Sequence, residues 1–385
     1  MNFIVKKTFK DPIPLENDKL PHYLYATYRV LWEHASDKRI ANELKKINRE
    51  FLKRIRTFSW NKALIHKDEK EKLSISAAIP SFMIDRLLQV MNIDFLRSNF
   101  SFMNGIGSKI EVTVRINNLS RRGRVLDLPQ RIEDRFIKNN IKYRKDIDIP
   151  ELYWIPLSQK SGIIVDSSYQ KGNLIFQDKA SAAVVQVLSP RQEDKIVDMC
   201  AAPGIKTSLL AQYMNNEGYI LAGEFLNTRT KIMKKLFSHL KVLNVHIINT
   251  DSIVFPIRFQ NYFDCILLDA PCTGSGTFLS NPELKWRQNE KFLHQNVVLQ
   301  KKLFESALKL LKPNGILVYS TCSFYPEEGE LQILNYRDQL EPLDLPKWFS
   351  PSYEIKNKLI KGTGRLYPSV HHTQAFFIGK FKKKG

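Results

Sequence analysis

From about residue 177 onward the chain alternates apolar strand-like runs with amphipathic helical runs, and its least ordinary sequences all fall where a strand ends. The helical KASAAVVQVL precedes the strand KIVDM, the turn CAAPG and a helix from about Lys206. GYILAGE, a helix through Thr230–Leu240, VHIINTD, YFDCILLDAP, a helix over Phe292–Leu311 and GILVYSTCS follow. Continuous apolar strands between helices predict a parallel sheet covered on both faces. In such sheets a ligand lies beyond the carboxyl ends of the strands.

The preceding part reads differently. Residues 21–56 have helical periodicity, with Tyr28, Leu31, Trp32 and Ala35 on one face and Ile40, Leu44, Ile47, Phe51 and Ile55 forming a second stripe. Residues 74–92 predict one further helix entered through Pro80. At 109 the period changes: KIEVTVRIN alternates as a half-buried strand does, before a short helix at Leu128–Asn139 and an extended GIIVD at 162–166. The expected organisation is a helical basic segment over 1–92, a small α+β, RRM-like adaptor over 93–165 and an α/β domain over 166–385.

Charge points to the partner. Lys and Arg number 59 against 39 Asp and Glu, a formal excess of 20. The positive residues are interleaved with rings in FLKRIRTFSW at 51–60, recur in SRRGR at 120–124, and close the chain in KFKKK. Cations beside aromatic rings suit phosphate contacts with base stacking, so nucleic acid is the expected partner. Four cysteines, none in a CxxC pair, and no cluster with zinc-ligand spacing leave no metal expected. No apolar run reaches membrane-spanning length and lysines interrupt the N-terminus, so a soluble cytoplasmic chain with no membrane partner is expected.

Two ends of the sheet carry the chemistry. In DMCAAPGIKT at 198–207, small residues Ala201, Ala202 and Gly204 let the backbone approach a ligand at a helix start. A P-loop needs a glycine where Ile205 stands, and GxGxxG is missing, which counts against an ATPase or dehydrogenase. Glu224 and Asp251 close the next two strands, placed for ribose hydroxyls and an adenine amine, and together they favour an adenosyl ligand. LLDAPCTGSGTF at 267–278 sets Asp269 and Cys272 just past a buried strand, and VYSTCSFYPEEGE at 318–330 does the same with Cys322. Cys265, inside YFDCILL, reads as inert packing.

Methylating carbon 5 of a pyrimidine needs such a set. A thiolate adding to carbon 6 makes carbon 5 nucleophilic, an acid holds ring nitrogen N3, and a base then removes the carbon-5 proton. Cys322, Asp269 and Cys272 can supply these roles, with Lys206 close enough to orient Asp269.

CAAPGIKT, LLDAPCTGSGT, NPELKWR at 281–287 and STCS at 320–323, in this order, resemble the RsmB/NOP/Sun family of RNA cytosine-5 methyltransferases. The resemblance covers roughly 75–385, with VTVRINNL at 112–119 similar to the strand before that family's catalytic domain and 362–381 similar to its closing hairpin. It implies a Rossmann-like class I domain, a parallel-dominated sheet with a C-terminal antiparallel hairpin. It implies S-adenosyl-L-methionine as cofactor, held by Cys200, Ala201, Ala202, Pro203, Gly204, Ile205 and Lys206 and by Glu224, Asp251 and Asp269. It further implies Cys322 as nucleophile and Cys272 as the cysteine of product release, with RNA, tRNA slightly ahead of rRNA, as substrate. DNA cytosine-5 methyltransferases attack with the Pro-Cys cysteine instead, which would leave STCS without a role.

Four residues depart from the family pattern: Ile205 replaces a second glycine, Glu224 the commoner aspartate, and Gln374-Ala375 an aspartate-glycine. Residues 1–74 match no motif of the family. A non-enzymatic RNA-binding or assembly protein on the same fold predicts loss of a key residue, yet both cysteines, Asp269 and Lys206 are present.

Overall fold

The computed structural model describes residues 2–8, 20–31, 33–44, 47–105, 110–120 and 123–385. The chain forms two compact units, Met1–Ile79 and Pro80–Gly385.

The first unit is helical. Helices Asn2–Thr8, Leu20–Leu31, Asp37–Glu43 and Arg49–Arg56 enclose Val5, Ala26, Val30, Ile40, Phe51, Leu52 and Ile55. The stripe of Ile40, Phe51 and Ile55 is therefore buried as expected. The other expected face is corrected: Ala26 and Val30 point inward while Tyr28 is 42% exposed, and Trp32 lies outside the described residues. Much of SRRGR, expected as a basic patch, lies outside them too.

The single helix expected over 74–92 is interrupted: two helices fall in that range and the next begins at Ile93. Glu69–Ala77 ends at Ala78, a left-handed cap (φ 54°), and Pro80, which disfavours helical backbone at Ile79, keeps the helix from resuming before Ser81. Ser81–Leu87 starts after Pro80, and Asn92 caps Ile93–Met103 by accepting from Phe95 N–H at 2.8 Å.

A small antiparallel sheet follows, formed by β1 (Glu111–Ile116), β2 (Arg144–Lys145), β3 (Leu152–Pro156) and β4 (Leu174–Phe176) in the order β2-β3-β1-β4. Helix Leu128–Lys138 packs Ile132 and Phe136 against it. The extended GIIVD is also corrected: Lys160–Val165 is a helix that buries Ile163 and leaves Val165 77% exposed. Three consecutive branched residues mimic a strand, but only one of them finds a core to enter.

Strands β5 (Lys195–Asp198), β6 (Tyr219–Glu224), β7 (Val245–Asn249), β8 (Phe263–Asp269), β9 (Leu311–Thr321), β10 (Thr363–Leu366) and β11 (Phe376–Lys383) are seven of the nine strands of the main sheet, in the order β10-β11-β9-β8-β5-β6-β7; Leu340–Pro342 and Ser350–Pro351 are short additions at its hairpin edge. From β9 through β7 every pairing is parallel, whereas β11 joins β9, and β10 joins β11, antiparallel. Helix α1 (Lys179–Leu188) and α2 (Ile205–Tyr213) cover one face with Ala183, Val187 and Leu209. Helix α4 (Glu290–Leu310) covers the other with Leu303, Phe304 and Ala307, and α3 (Asn227–Leu240) links β6 to β7. The parallel-dominated, Rossmann-like domain with an antiparallel C-terminal hairpin is as expected.

Two buried arginines hold these parts together. Arg115 on β1, fully buried, reaches α2 through Ser208 Oγ at 2.7 Å and Gln212 Oε1 at 3.2 Å, which ties the small sheet to the large one. Arg365 on β10 donates to both carboxylate oxygens of Glu330 at 2.7 and 2.6 Å and to the Ser323 carbonyl at 2.8 Å, with its guanidinium over the Tyr353 ring. Removing one member of such a pair strands the other charge. Arg365→Met is expected to destabilise the protein by about 3–5 kcal/mol in denaturant unfolding. A loss under about 1 kcal/mol would mean the hairpin does not depend on this pair.

Candidate active site

The cofactor end is shaped by close backbone approach. After β5 the chain turns through Met199–Gly204, with Ala201 N–H bonded to the Gly223 carbonyl at 3.0 Å. Gly204 has φ 103°, and a Cβ there would stand 2.8 Å from the Phe237 ring. Only glycine accepts both conditions. The Ala202–Pro203 bond is cis, and Ile205 opens α2 directly after Gly204.

Glu224 is buried at the end of β6, where its carboxylate accepts from Leu226 N–H at 2.8 Å and meets Arg229 Nη1 at 3.1 Å. Arg229 also donates to the Ala202 carbonyl at 2.7 Å, so one side chain joins the CAAPG turn to the acid of the next strand. Asp251, just past β7, accepts from Ile253 N–H at 2.9 Å. Cys200 is partly exposed at the same end, its thiol pushed up by burial and by the negative charge of Asp198.

The chemistry end depends on the pairing of β8 with β9. Parallel register sets Asp269 opposite Ser320, whose hydroxyl donates to Asp269 Oδ1 at 2.6 Å. Lys206, from the first turn of α2, meets Asp269 Oδ2 at 2.8 Å. Burial works against the Lys206 charge, but Asp269 and Cys322 outweigh it and hold the ammonium above its ordinary range. Three residues past Asp269 and two past Ser320, the sulfurs of Cys272 and Cys322 are 3.3 Å apart. The expected convergence of these four residues is therefore present.

The cysteine loops are fixed by groups the sequence reading did not single out. Buried Glu328 accepts from Thr273 N–H at 2.9 Å, Thr273 Oγ1 at 2.6 Å and Gln300 at 3.0 Å. Gly276 N–H donates to the Cys322 carbonyl at 3.0 Å, and Gln288 donates to the Thr273 carbonyl at 3.2 Å. Cys272 is pushed well up by its hydrogen bond with Cys322, then by burial and the nearby Cys322 and Glu328 charges. Cys265 is buried with its thiol pushed up by burial, consistent with packing alone. In NPELKWR, Lys285 is nearly buried and bonded to Asn104 Oδ1, whereas Trp286 is 82% exposed. Among the described residues no group of His, Cys, Asp and Glu is arranged to hold a metal, and no helix is long and apolar enough to cross a membrane.

Asp198 was also missed. It is buried at the end of β5, accepts from Thr207 Oγ1 at 2.7 Å, and its Oδ1 has no partner among the described residues. Burial, and then the charge of Asp269 against the pull of Thr207 and Lys206, raises its pKa from 3.8 to about 7. The folded protein thus keeps a proton that the unfolded chain releases, and the associated stability is present below about pH 4 and lost as pH rises through about 7. Asp198→Asn is expected to remove this slope, so that wild type loses more thermal stability than the variant between about pH 5 and pH 8. Parallel melting curves across that range would contradict it.

A model of the 16S rRNA methyltransferase RsmB/F family matches residues 185–382. A 28S rRNA (cytosine-C(5))-methyltransferase of Mus musculus is 33% identical over 78% of this chain, which spans only 38% of that relative's length. A tRNA (cytosine(49)-C(5))-methyltransferase of Pyrococcus abyssi is 32% identical over 70% of this chain and 88% of its own length. The crystal structure of a methyltransferase homologue from Pyrococcus horikoshii superposes with a TM-score of 0.69 at 30% identity, covering 82% of this chain and 99% of that one. By motif order, fold and these likenesses together, the chain belongs to the RsmB/F family of methyltransferases, the RsmB/NOP/Sun group that its sequence resembles.

Proposed function

We propose that the protein methylates carbon 5 of a cytosine in RNA, with Cys322 as nucleophile, Cys272 as the release group and S-adenosyl-L-methionine as methyl donor. The observation that carries this reading is the meeting of two thiols at 3.3 Å beside the Lys206–Asp269 pair. Both thiols stand in the turns that follow strand ends, among Pro, Thr, Gly and Ser, whereas Cys265 lies inside a strand.

The residues at the cofactor end fit an adenosyl sulfonium. Glu224 and Asp251 close consecutive parallel strands, and the unpartnered Asp198 Oδ1 adds an acceptor. Glu224 would take the ribose hydroxyls, Asp251 the adenine amine, and the turn Cys200–Lys206 the remainder. When bound, the cofactor supplies an electrophilic methyl group on a positively charged sulfur.

The chain's own residues handle the ring. Cys322 sulfur adds to carbon 6 as a thiolate, and electron density moves toward N3 and carbon 5. Asp269 holds N3, with Lys206 at 2.8 Å as the neighbouring proton source. Once carbon 5 carries the methyl group, Cys272 as general base takes its remaining proton, the C–H electron pair re-forms the 5,6 double bond, and the carbon–sulfur bond breaks with its pair returning to Cys322 as thiolate. Cys272, already hydrogen-bonded to Cys322, is placed to take part in that release. The basic N-terminal segment, residues 1–110, is proposed to grip RNA phosphates outside the site. We favour tRNA slightly over rRNA as the substrate; coverage of 88% of the tRNA-named relative's length supports this reading, and the rRNA name of the matching family model supports the alternative.

Incubated with the cofactor and total RNA of the host, Cys272→Ala should give a slow, RNase-sensitive band on a denaturing gel, and Cys322→Ala none. A band from Cys322→Ala alone would reverse the two roles. Asp269→Asn should slow methyl transfer by about 10²–10⁴-fold while leaving the protein folded; an unchanged rate would remove Asp269 from the chemistry.

A further inference from the structure

Beside the cysteine loops lies a second cleft of about 530 Å³ that contains none of the residues assigned above to the cofactor or the reaction. One wall is the small sheet, through Trp154 on β3 and Phe176 on β4; the other is Gly276 and Ser280 of the Cys272 loop with Gln374 of the closing hairpin. Gly276 is the residue whose N–H holds the Cys322 carbonyl at 3.0 Å, so the cleft opens next to the proposed nucleophile. A Cβ on Gly276 would stand 2.2 Å from the Ala375 carbonyl, which fixes that wall closely.

Gln177 lines the cleft, 3% exposed, and its backbone is fully engaged. Its N–H donates to the Thr113 carbonyl at 3.2 Å, and its carbonyl accepts from Thr113 Oγ1 at 2.5 Å. Its side-chain amide, both Nε2 and Oε1, has no partner among the described residues. A buried amide unsatisfied at both ends is costly, and such groups persist where a ligand completes them. The surroundings say which ligand. The Lys160 ammonium, which lines the cleft, lies 5.2 Å from the Phe176 ring, so a cation stands beside an aromatic ring there. The carboxylates that line the cleft are already engaged, Glu111 with Arg144 at 2.7 Å and Asp178 with Thr373 at 2.6 Å. An aromatic ring, a cation for phosphate and a free amide are the elements of a nucleotide site. An amide presents a donor next to an acceptor, which matches a base edge such as adenine N6 and N7.

We infer that this cleft holds the base of a nucleotide flanking the target cytosine, with the Gln177 amide reading its edge. The inference rests on the RNA cytosine-5 reading for the direction of the strand, so binding and methyl transfer are measured separately. The probes are hairpin RNAs with one loop cytosine, carrying at each neighbouring position in turn adenine, another base or an abasic site. Wild type should bind the adenine-bearing RNA about tenfold more tightly than the abasic one at one flanking position only. Gln177→Met, which keeps the volume and removes the amide, should abolish that preference while melting at the same or a higher temperature. Equal discrimination by both proteins would overturn the subsite. So would a uniform loss across all RNAs, abasic ones included, which marks a merely structural residue. Methyl incorporation failing on every RNA while the affinity pattern holds would count against the reaction and leave the subsite standing.

Discussion

The pairing of β8 with β9 sets most of the geometry at the chemistry end. Register places Asp269 opposite Ser320, and a hydrogen bond at 2.6 Å joins them across the strands. A parallel pair delivers both chains to the same edge of the sheet, so the loops that follow must start side by side. That is why two cysteines 50 residues apart in sequence can bring their sulfurs within 3.3 Å. A one-residue slip of either strand would turn its terminal side chains to the opposite face and separate them. Buried Leu267 and Val318 on one face, and Ile266, Leu268, Leu317 and Tyr319 on the other, resist such a slip.

Charge at this edge is unusually concentrated for a buried place. Lys206 faces Asp269 directly and lies within the influence of Asp198 and Cys322. One ammonium cannot neutralise every acid, and Asp198, the more deeply buried, is the group driven toward its protonated form. Burial pushes the Glu328 carboxyl up as well, against the donors Ser323, Thr273 and Gln300, and Glu328 serves as the post to which the Cys272 loop is tied. The Arg365–Glu330 pair then fastens the closing hairpin to the loop behind Cys322. Rigid support of this kind matters because the proposed reaction needs both sulfurs held to the same ring.

Strand-end motifs were legible in the sequence because a parallel sheet converts position in a strand into position at the site. Glu224, Asp251, Asp269, Cys272 and Cys322 each closed a run of apolar residues, and the topology did the rest. Pairings between distant residues left no local signal. Arg229 joining Ala202 to Glu224, Glu328 holding Thr273, and Arg115 crossing from β1 to α2 depend on side chains meeting across elements. Local reading also misjudged backbone where one residue decides. Ala78 before Pro80 divides what the apolar period suggested was one helix, and GIIVD coils because only Ile163 has a core to pack into. Asp198 was within the quoted motif, but its unpartnered oxygen is a property of burial rather than of sequence.

The most direct test of the proposed reaction is nucleoside mass spectrometry of RNA treated with the protein and S-adenosyl-L-methionine bearing an isotopically heavy methyl group. The account predicts heavy 5-methylcytidine from wild type and none from Cys322→Ala. Heavy label in any other nucleoside, or 5-methylcytidine still formed by Cys322→Ala, would contradict it.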